Sequence, residues 1–329
     1  MKKLFHSMTI GLISLGAMAP GLQSAGAAPE AEPLRIVTTT AMIADVVRAV
    51  AQDRAEVKHL MGEGSDPHLY APTRGDVVAL QQADLIFYNG LLLEGRMGDV
   101  LARVGRRGKP VVAVAEVVRD REDFVLLHDE EGPDPHLWMD PRIWVMVTAE
   151  VARVLSEIEP DHAEFFAAGA QAYSRRLLEL DAYARTVIGS IPPARRHLVT
   201  AHDAFGYLGR AYGLEVHGIQ GLSTETEAGV RDIENLIKFI VGQEIPAIFI
   251  ETSISDRNVR AVVEGADARG HRLIIGGELF SDAMGPADSY EGTYIGMIDH
   301  NVSTIAAALG GEVPERGMQG KLSKPLGLK

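Results

Sequence analysis

One pentapeptide pattern occurs twice in this chain, as Asp66-Pro67-His68-Leu69-Tyr70 and as Asp134-Pro135-His136-Leu137-Trp138. A proline just before a histidine stiffens the backbone, which lowers the cost of ordering the imidazole and suits each segment to present a ring nitrogen to a metal. A turn whose histidine bonds locally is the plainer alternative; the repetition favours metal ligation. His202 follows the apolar run Leu198-Val199-Thr200 and precedes an apolar helical stretch from Phe205 to Tyr212, which puts it at the carboxyl end of a strand. Asp282 lies in Leu279-Phe280-Ser281-Asp282-Ala283-Met284-Gly285, past a strand ending near Ile275 and a tight turn at Gly276-Gly277. A helix N-cap is the competing role for this acid. Together the four supply three neutral nitrogens and one carboxylate, a complete donor set for four-coordinate Zn²⁺. Glu251 ends the apolar strand Ala247-Ile248-Phe249-Ile250, where a carboxylate is costly unless partnered. It is expected to accept a hydrogen bond from a ligand histidine and orient it, with an ordinary strand-end acid as the alternative.

The remaining histidines lack such a setting. His59, His197, His217 and His271 flank strands, His162 opens a long helix, and His300 sits in a helical run from Gly292 to Leu309. His128 lies in an acidic surface loop with Asp129-Glu130-Glu131, and His6 belongs to the leader. There is no H-E-x-x-H, G-x-S-x-G or Walker loop, so the common hydrolase and NTPase chemistries lack their residues.

The elements that must position these groups alternate. Short apolar runs at Leu34–Thr39, Val57–Met61, Leu85–Tyr88 and Val111–Val114 read as strands. Helical segments lie between them, at Met42–Ala51 and from Thr73-Arg74-Gly75-Asp76 to Ala83, the second opened by a capping box with Asp in place of Glu. The plan resumes with strands at Leu198–Thr200, Glu215–Gly218, Ala247–Glu251 and Arg272–Ile275. Between the two sets, residues from Asp161 to about Ile188 contain no Pro and one Gly, with Phe166, Ala170, Tyr173, Leu177 and Leu180 at helical spacing. The spacing predicts one connecting helix of roughly 40 Å. The expected fold class is α/β: two similar parallel-sheet βα lobes, residues 28–159 and 191–329, joined by a backbone helix at 160–190. Ligands of open α/β sheets sit outside the carboxyl ends of strands, so the cleft between the lobes is the expected site.

Composition bounds the function. With 46% hydrophobic and 23% charged residues the chain reads as folded and soluble, and a formal charge of −13 disfavours nucleic acid and anionic lipid. Cys is absent, which removes thiolate metal sites, disulfides and a lipid-anchor cysteine. Lys2 and Lys3, an apolar run from Met8 to Ala19 and the exit Ala25-Gly26-Ala27 have the layout of a cleaved secretory signal, residues 1–27, with Ala28 the first mature residue.

On these motifs the sequence resembles the metal-binding solute receptors of the ABC importers that carry zinc and manganese in bacteria, and it is most similar to their TroA-type periplasmic members. The likeness runs from Ile36-Val37-Thr38-Thr39 through both pentapeptides and Thr200-Ala201-His202-Asp203-Ala204-Phe205-Gly206-Tyr207 to Gly277–Gly285. It implies two α/β lobes on a rigid helix, with one metal ion per chain held at their interface by His68, His136, His202 and Asp282. It also implies a small lobe tilt on binding and a membrane permease as partner. A long His-rich loop, present in some zinc-specific relatives, is missing here; Phe124 to Gly132 holds only His128. Relatives that look manganese-specific carry Glu where this chain has His202. The reading is therefore a monomeric, freely diffusing periplasmic receptor for Zn²⁺, with Mn²⁺ the alternative cargo. The rival from another class is a secreted zinc hydrolase in which three His hold the metal and Asp282 is a base. A third reading, a receptor for a metal chelate, would use Trp138 and Tyr70 as the aromatic lining of a cleft.

Overall fold

The computed structural model describes residues 1, 32–119, 121, 123–128 and 132–323; the expected leader, residues 1–27, lies almost wholly outside them. The unit from Pro33 onward begins with β1 (Leu34–Thr38), whose residues Ile36, Val37 and Thr38 are buried. The helix α1 (Ala41–Ala51) leads to β2 (Ala55–His59), α2 (Arg74–Gln82) to β3 (Leu85–Tyr88), and α3 (Gly95–Gly105) to β4 (Val111–Ala113). These strands form one parallel sheet in the order β2-β1-β3-β4, with Ile36 paired to Val57 on one side and Leu85 on the other. The capping box forms as expected. Thr73 accepts from the Asp76 N–H at 3.2 Å, and the Asp76 carboxylate accepts from the Thr73 N–H at 2.7 Å.

A short antiparallel pair, β5 (Leu127–His128) with β6 (Gly132–Pro133), precedes the second pentapeptide. The helix α4 (Pro141–Ile158) follows, with Asp140 as its N-cap and Pro at its first position. The connecting helix is α5 (Ala163–Gly189), which starts two residues later than the spacing suggests because residues 160–162 form a 3₁₀ turn. Its 27 residues span roughly 40 Å. It packs on α1 and α4 and on α9 (Tyr294–Ala308), so one continuous core holds Val47, Trp144, Leu177, Leu180, Ile298 and Val302. Gly169 permits this, since a Cβ there would lie 2.6 Å from the Val50 carbonyl oxygen of α1.

The second half of the chain contains β7 (His197–His202), α6 (Gly206–Tyr212), β8 (Glu215–Gln220), α7 (Val230–Gly242), β9 (Ala247–Glu251), α8 (Arg257–Asp267) and β10 (Ile274–Leu279). It does not repeat the first sheet strictly. Its strands form two separate parallel pairs, β7-β8 and β9-β10, with β7 running beside β9. The turn expected at Gly276-Gly277 is instead part of β10, with an irregularity between Ile275 and Gly277. Both glycines answer to close packing against α9: a Cβ on Gly276 would come within 2.7 Å of the Ala308 methyl, and one on Gly277 would run into Thr304. Among the described residues no helix is long and apolar enough to cross a membrane.

Candidate metal centre

His68 lies in the long segment that follows β2, and the other expected site residues sit at, or within three residues of, the carboxyl end of a strand. His202 ends β7, Glu251 ends β9 and Asp282 follows β10 by three residues; His136 follows β6. All five are buried. The structure brings His68, His136, His202 and Asp282 together, with one donor atom from each lying within 4.8 Å of the others. The Nε2 atoms of His68 and His136 are 3.4 Å apart, and only one of them can carry a hydrogen toward the other. The Asp282 carboxylate stands 3.2 Å from His202 Nε2, 3.5 Å from His136 Nε2 and 4.0 Å from His68 Nε2. Donors about 2.0–2.1 Å from a tetrahedral Zn²⁺ lie about 3.3–3.4 Å from each other, so most of these separations are ligand spacings. Neither Asp282 oxygen makes a hydrogen bond, nor does His202 Nε2, although all three atoms are shielded from solvent.

Buried carboxylates behind the rings set their orientation. Glu251 accepts from the His202 backbone N–H at 2.9 Å and from its Nδ1–H at 2.6 Å, which turns Nε2 toward the centre. This is the place expected for Glu251. Asp134 does the same for His136, accepting from N–H at 2.9 Å and from Nδ1–H at 2.7 Å. Asp66 accepts from the His68 backbone N–H at 2.9 Å and takes the Thr224 hydroxyl at 2.6 Å on its other oxygen. Asp66 and Asp134 are the site residues that sequence reasoning passed over. The signal was in both pentapeptides, where an acid two positions before the histidine is spaced for an Asx-type turn onto that histidine's N–H.

The charge states differ from ring to ring in the metal-free chain. Burial pushes the His68 imidazole down to about 4, with Asp282 opposing and the other two histidines adding, so it is neutral at pH 7. Burial also works against the charged form of His202, but Glu251 and Asp282 outweigh it and hold this ring well above its ordinary value. For Asp282 burial is outweighed by the three imidazoles, which hold it below the ordinary carboxylate range. The Asp282 loop is fixed from both sides, by Asn301 of α9 bonding both backbone groups of Phe280 and by the Trp138 indole donating to the Ser281 carbonyl at 2.7 Å. Trp138 is thereby buried, and Tyr70 spends its hydroxyl on Asp76 at 2.9 Å. Neither lines the cleft of about 670 Å³ that reaches the centre at His68, between Leu91, Leu92 and Pro135 on one side and Gly221 and Glu225 on the other. The aromatic lining that a chelate receptor would use is absent from it.

The loop from Asn89 to Gly95 backs His68. Leu91 and Leu92 both hold positive φ, at 51° and 67°, and a Cβ on Gly95 would run into the His68 carbonyl oxygen. Buried Glu94 holds the loop by accepting from the N–H groups of Asn89 at 2.6 Å and Gly90 at 3.0 Å and from the Thr39 hydroxyl at 2.9 Å. Burial, against those hydrogen bonds, pushes its carboxyl up to about 7. The folded chain thus holds this proton more tightly than the unfolded chain. The contribution of Glu94 to stability is present below the unfolded value of 4.5 and is lost as pH rises through about 7. Denaturant unfolding of the metal-free chain at pH 5 and pH 8 should show a loss of roughly 2–3 kcal/mol more in the parent than in Glu94→Gln. Equal losses would show that Glu94 is not the group responsible.

The other histidines are engaged elsewhere. His162 Nε2 lies 2.8 Å from Arg54, His271 Nε2 donates to the Ile245 carbonyl at 2.7 Å and His300 Nε2 to that of Glu278 at 2.9 Å. His197 and His217, expected merely to flank strands, meet Glu215 in a second group described below.

A parallel-stranded α/β fold with a buried three-histidine, one-carboxylate group at its strand ends is that of a metal-binding receptor. The chain belongs to the family of ZnuA, the periplasmic zinc-uptake complex component A, which its residues 36–308 match. It is 49% identical over 286 residues to the zinc-binding protein TroA of Treponema pallidum, a match covering 87% of this chain and 92% of that one. The solved periplasmic zinc binding protein TroA superposes with a TM-score of 0.81 over 84% of this chain and 99% of its own. The manganese-binding lipoprotein MntA of Bacillus subtilis is 42% identical over 291 residues, 88% of this chain and 94% of that protein. The Fe(III)-bound YtgA of Chlamydia trachomatis is 29% identical, with a TM-score of 0.78 over 86% of this chain and the whole of that one.

Proposed function

We propose that His68, His136, His202 and Asp282 hold one divalent transition-metal ion, Zn²⁺ in preference to Mn²⁺, as cargo that the chain captures in the periplasm and delivers to the permease of an ABC importer. One observation carries this reading: the buried Asp282 carboxylate has two oxygens without a hydrogen bond and three imidazole nitrogens around it. Such an anion is costly without a cation; in the metal-free chain the proton held on His202 offsets it, and a metal ion bound to all four groups would displace that proton. The names of the zinc- and manganese-binding relatives support a divalent cargo, and that of the Fe(III)-bound YtgA supports transition-metal cargo more broadly.

Asp282 also separates the receptor from the hydrolase. A catalytic zinc keeps a coordination position open for water, and a carboxylate 3.2 and 3.5 Å from two of the ligand histidines and 4.0 Å from the third is placed to close it. No observation favours the enzyme.

The lobes are assigned to residues 28–159 and 191–329, with 160–190 as the helix between them. One chain supplies the whole donor set, consistent with a working monomer. Export by cleavage of residues 1–27, without a lipid anchor, is supported by the signal-like layout and the lack of any Cys; N-terminal sequencing of exported protein should begin at Ala28, and a start at Met1 would refute it.

The test of the function is a Zn²⁺ competition titration of the metal-stripped chain. The parent should take up one tight equivalent, and Asp282→Asn should lose it. Glu251→Gln and Asp134→Asn, which alter only what stands behind a ring, should each weaken binding by about 10–100-fold. Tight uptake unchanged in Asp282→Asn would overturn the reading.

A further inference from the structure

The edge of β7 and β8 remote from this centre carries a second converging donor set. In the parallel register His197 pairs with Glu215, and His217 lies two positions further along β8. Strand alternation therefore puts all three side chains on one face. One carboxylate spans two rings, with Glu215 Oε2 3.4 Å from His197 Nδ1 and Oε1 3.3 Å from His217 Nε2. Both ring nitrogens are shielded from solvent and neither makes a hydrogen bond, although an ordinary His–Glu pair would. The rings stack at 5.8 Å, and Phe239 of α7 covers them with its centroid 4.5 Å from His217 and 5.7 Å from His197.

We propose that His197, Glu215 and His217 form a second divalent-metal site, separate from the buried centre. The separations match the roughly 3.3–3.4 Å between ligands of a tetrahedral Zn²⁺. Two imidazoles and one carboxylate select the same borderline ions, Zn²⁺ above Mn²⁺ and well above Mg²⁺ or Ca²⁺. The site binds more weakly than the centre at Asp282, because it has three protein donors and the Glu215 side chain is 59% exposed. A position remains for water or an outside donor. His197 and His202 are the two ends of β7, so about 16 Å of strand separates this site from the first.

The test uses Zn²⁺ alone, titrated into the metal-stripped full chain and read by calorimetry together with side-chain ¹⁵N NMR of the histidines. The parent should bind a second, weaker equivalent whose arrival shifts His197 Nδ1 and His217 Nε2. Glu215→Gln should weaken that equivalent by at least about tenfold and leave the tight one in place. His217→Ala should abolish it. Glu215 is exposed, so its variant keeps the test valid if His217→Ala loses packing against Phe239. A parent that stops at one equivalent with those resonances unmoved, or a second equivalent unchanged in Glu215→Gln, would overturn the proposal. Neither outcome bears on the centre at Asp282.

Discussion

Saturating Zn²⁺ should raise the melting temperature of the chain, and His68→Ala or His202→Ala should each remove most of that rise. The four donors come from four separate segments, between residues 68 and 282, so the site exists only in the folded chain. A ligand that binds the folded state alone stabilises it by about 4 kcal/mol when free metal stands a thousandfold above Kd. For a chain of this size that corresponds to roughly 5–10 °C. His68 approaches from the first half of the chain and His202 from the second, so loss of the effect in both variants ties the metal to both halves. His202→Ala also deprives Glu251 of the N–H at 2.6 Å and should destabilise the metal-free chain by about 1–3 kcal/mol. The comparison that matters is therefore the metal-dependent shift of each variant against its own metal-free state. His271→Ala is the control, since its ring serves the Ile245 carbonyl and the zinc shift should survive. A full shift retained in His68→Ala or His202→Ala would show that the imidazole removed is not a ligand.

The second large effect is on metal choice. Mn²⁺ lies lowest in the divalent affinity series and prefers oxygen donors, whereas imidazole-rich four-coordinate sites suit Zn²⁺. Three nitrogens against one carboxylate should give Zn²⁺ at least a tenfold advantage, about 1.4 kcal/mol. Exchanging a nitrogen for an oxygen at residue 202 should narrow it. The surroundings of His202 dictate how the exchange is made. A simple His202→Glu would set a third buried carboxylate between Glu251 and Asp282, both of which now face the ring. The paired change His202→Glu with Glu251→Gln replaces one of them with a neutral donor and keeps the packing. Competition titrations with both ions should find the preference reduced at least tenfold in the pair, through loss of zinc affinity more than gain of manganese affinity. A preference that does not move would show that residue 202 does not set selectivity.

Much of the centre is legible in the residues because its chemistry is written in local motifs. The two D-P-H-L-aromatic segments and the strand-end position of His202 name the imidazoles, and the cost of a carboxylate at the end of Ala247–Ile250 names Glu251. Asp66 and Asp134 were in plain view, but their role depends on which way a side chain turns. Glu94 escapes notice for a different reason: only the folded loop reveals three donors converging on one acid in the sequence Gly90–Gly95. The passage of β10 through Gly276-Gly277 depends on α9, more than fifteen residues away, pressing on the strand. Local propensity carries no trace of that contact, and two adjacent glycines read naturally as a turn. The group of His197, Glu215 and His217 is likewise a product of strand register, which pairs residues eighteen apart in sequence.

The most direct measurement is anomalous diffraction at the zinc edge from crystals of the exported chain purified without added metal. The strongest peak should lie within about 2.0–2.2 Å of the Nε2 atoms of His68, His136 and His202 and of an Asp282 oxygen. Zinc found elsewhere with this position vacant, or a peak there that only manganese edge data reproduce, would contradict it.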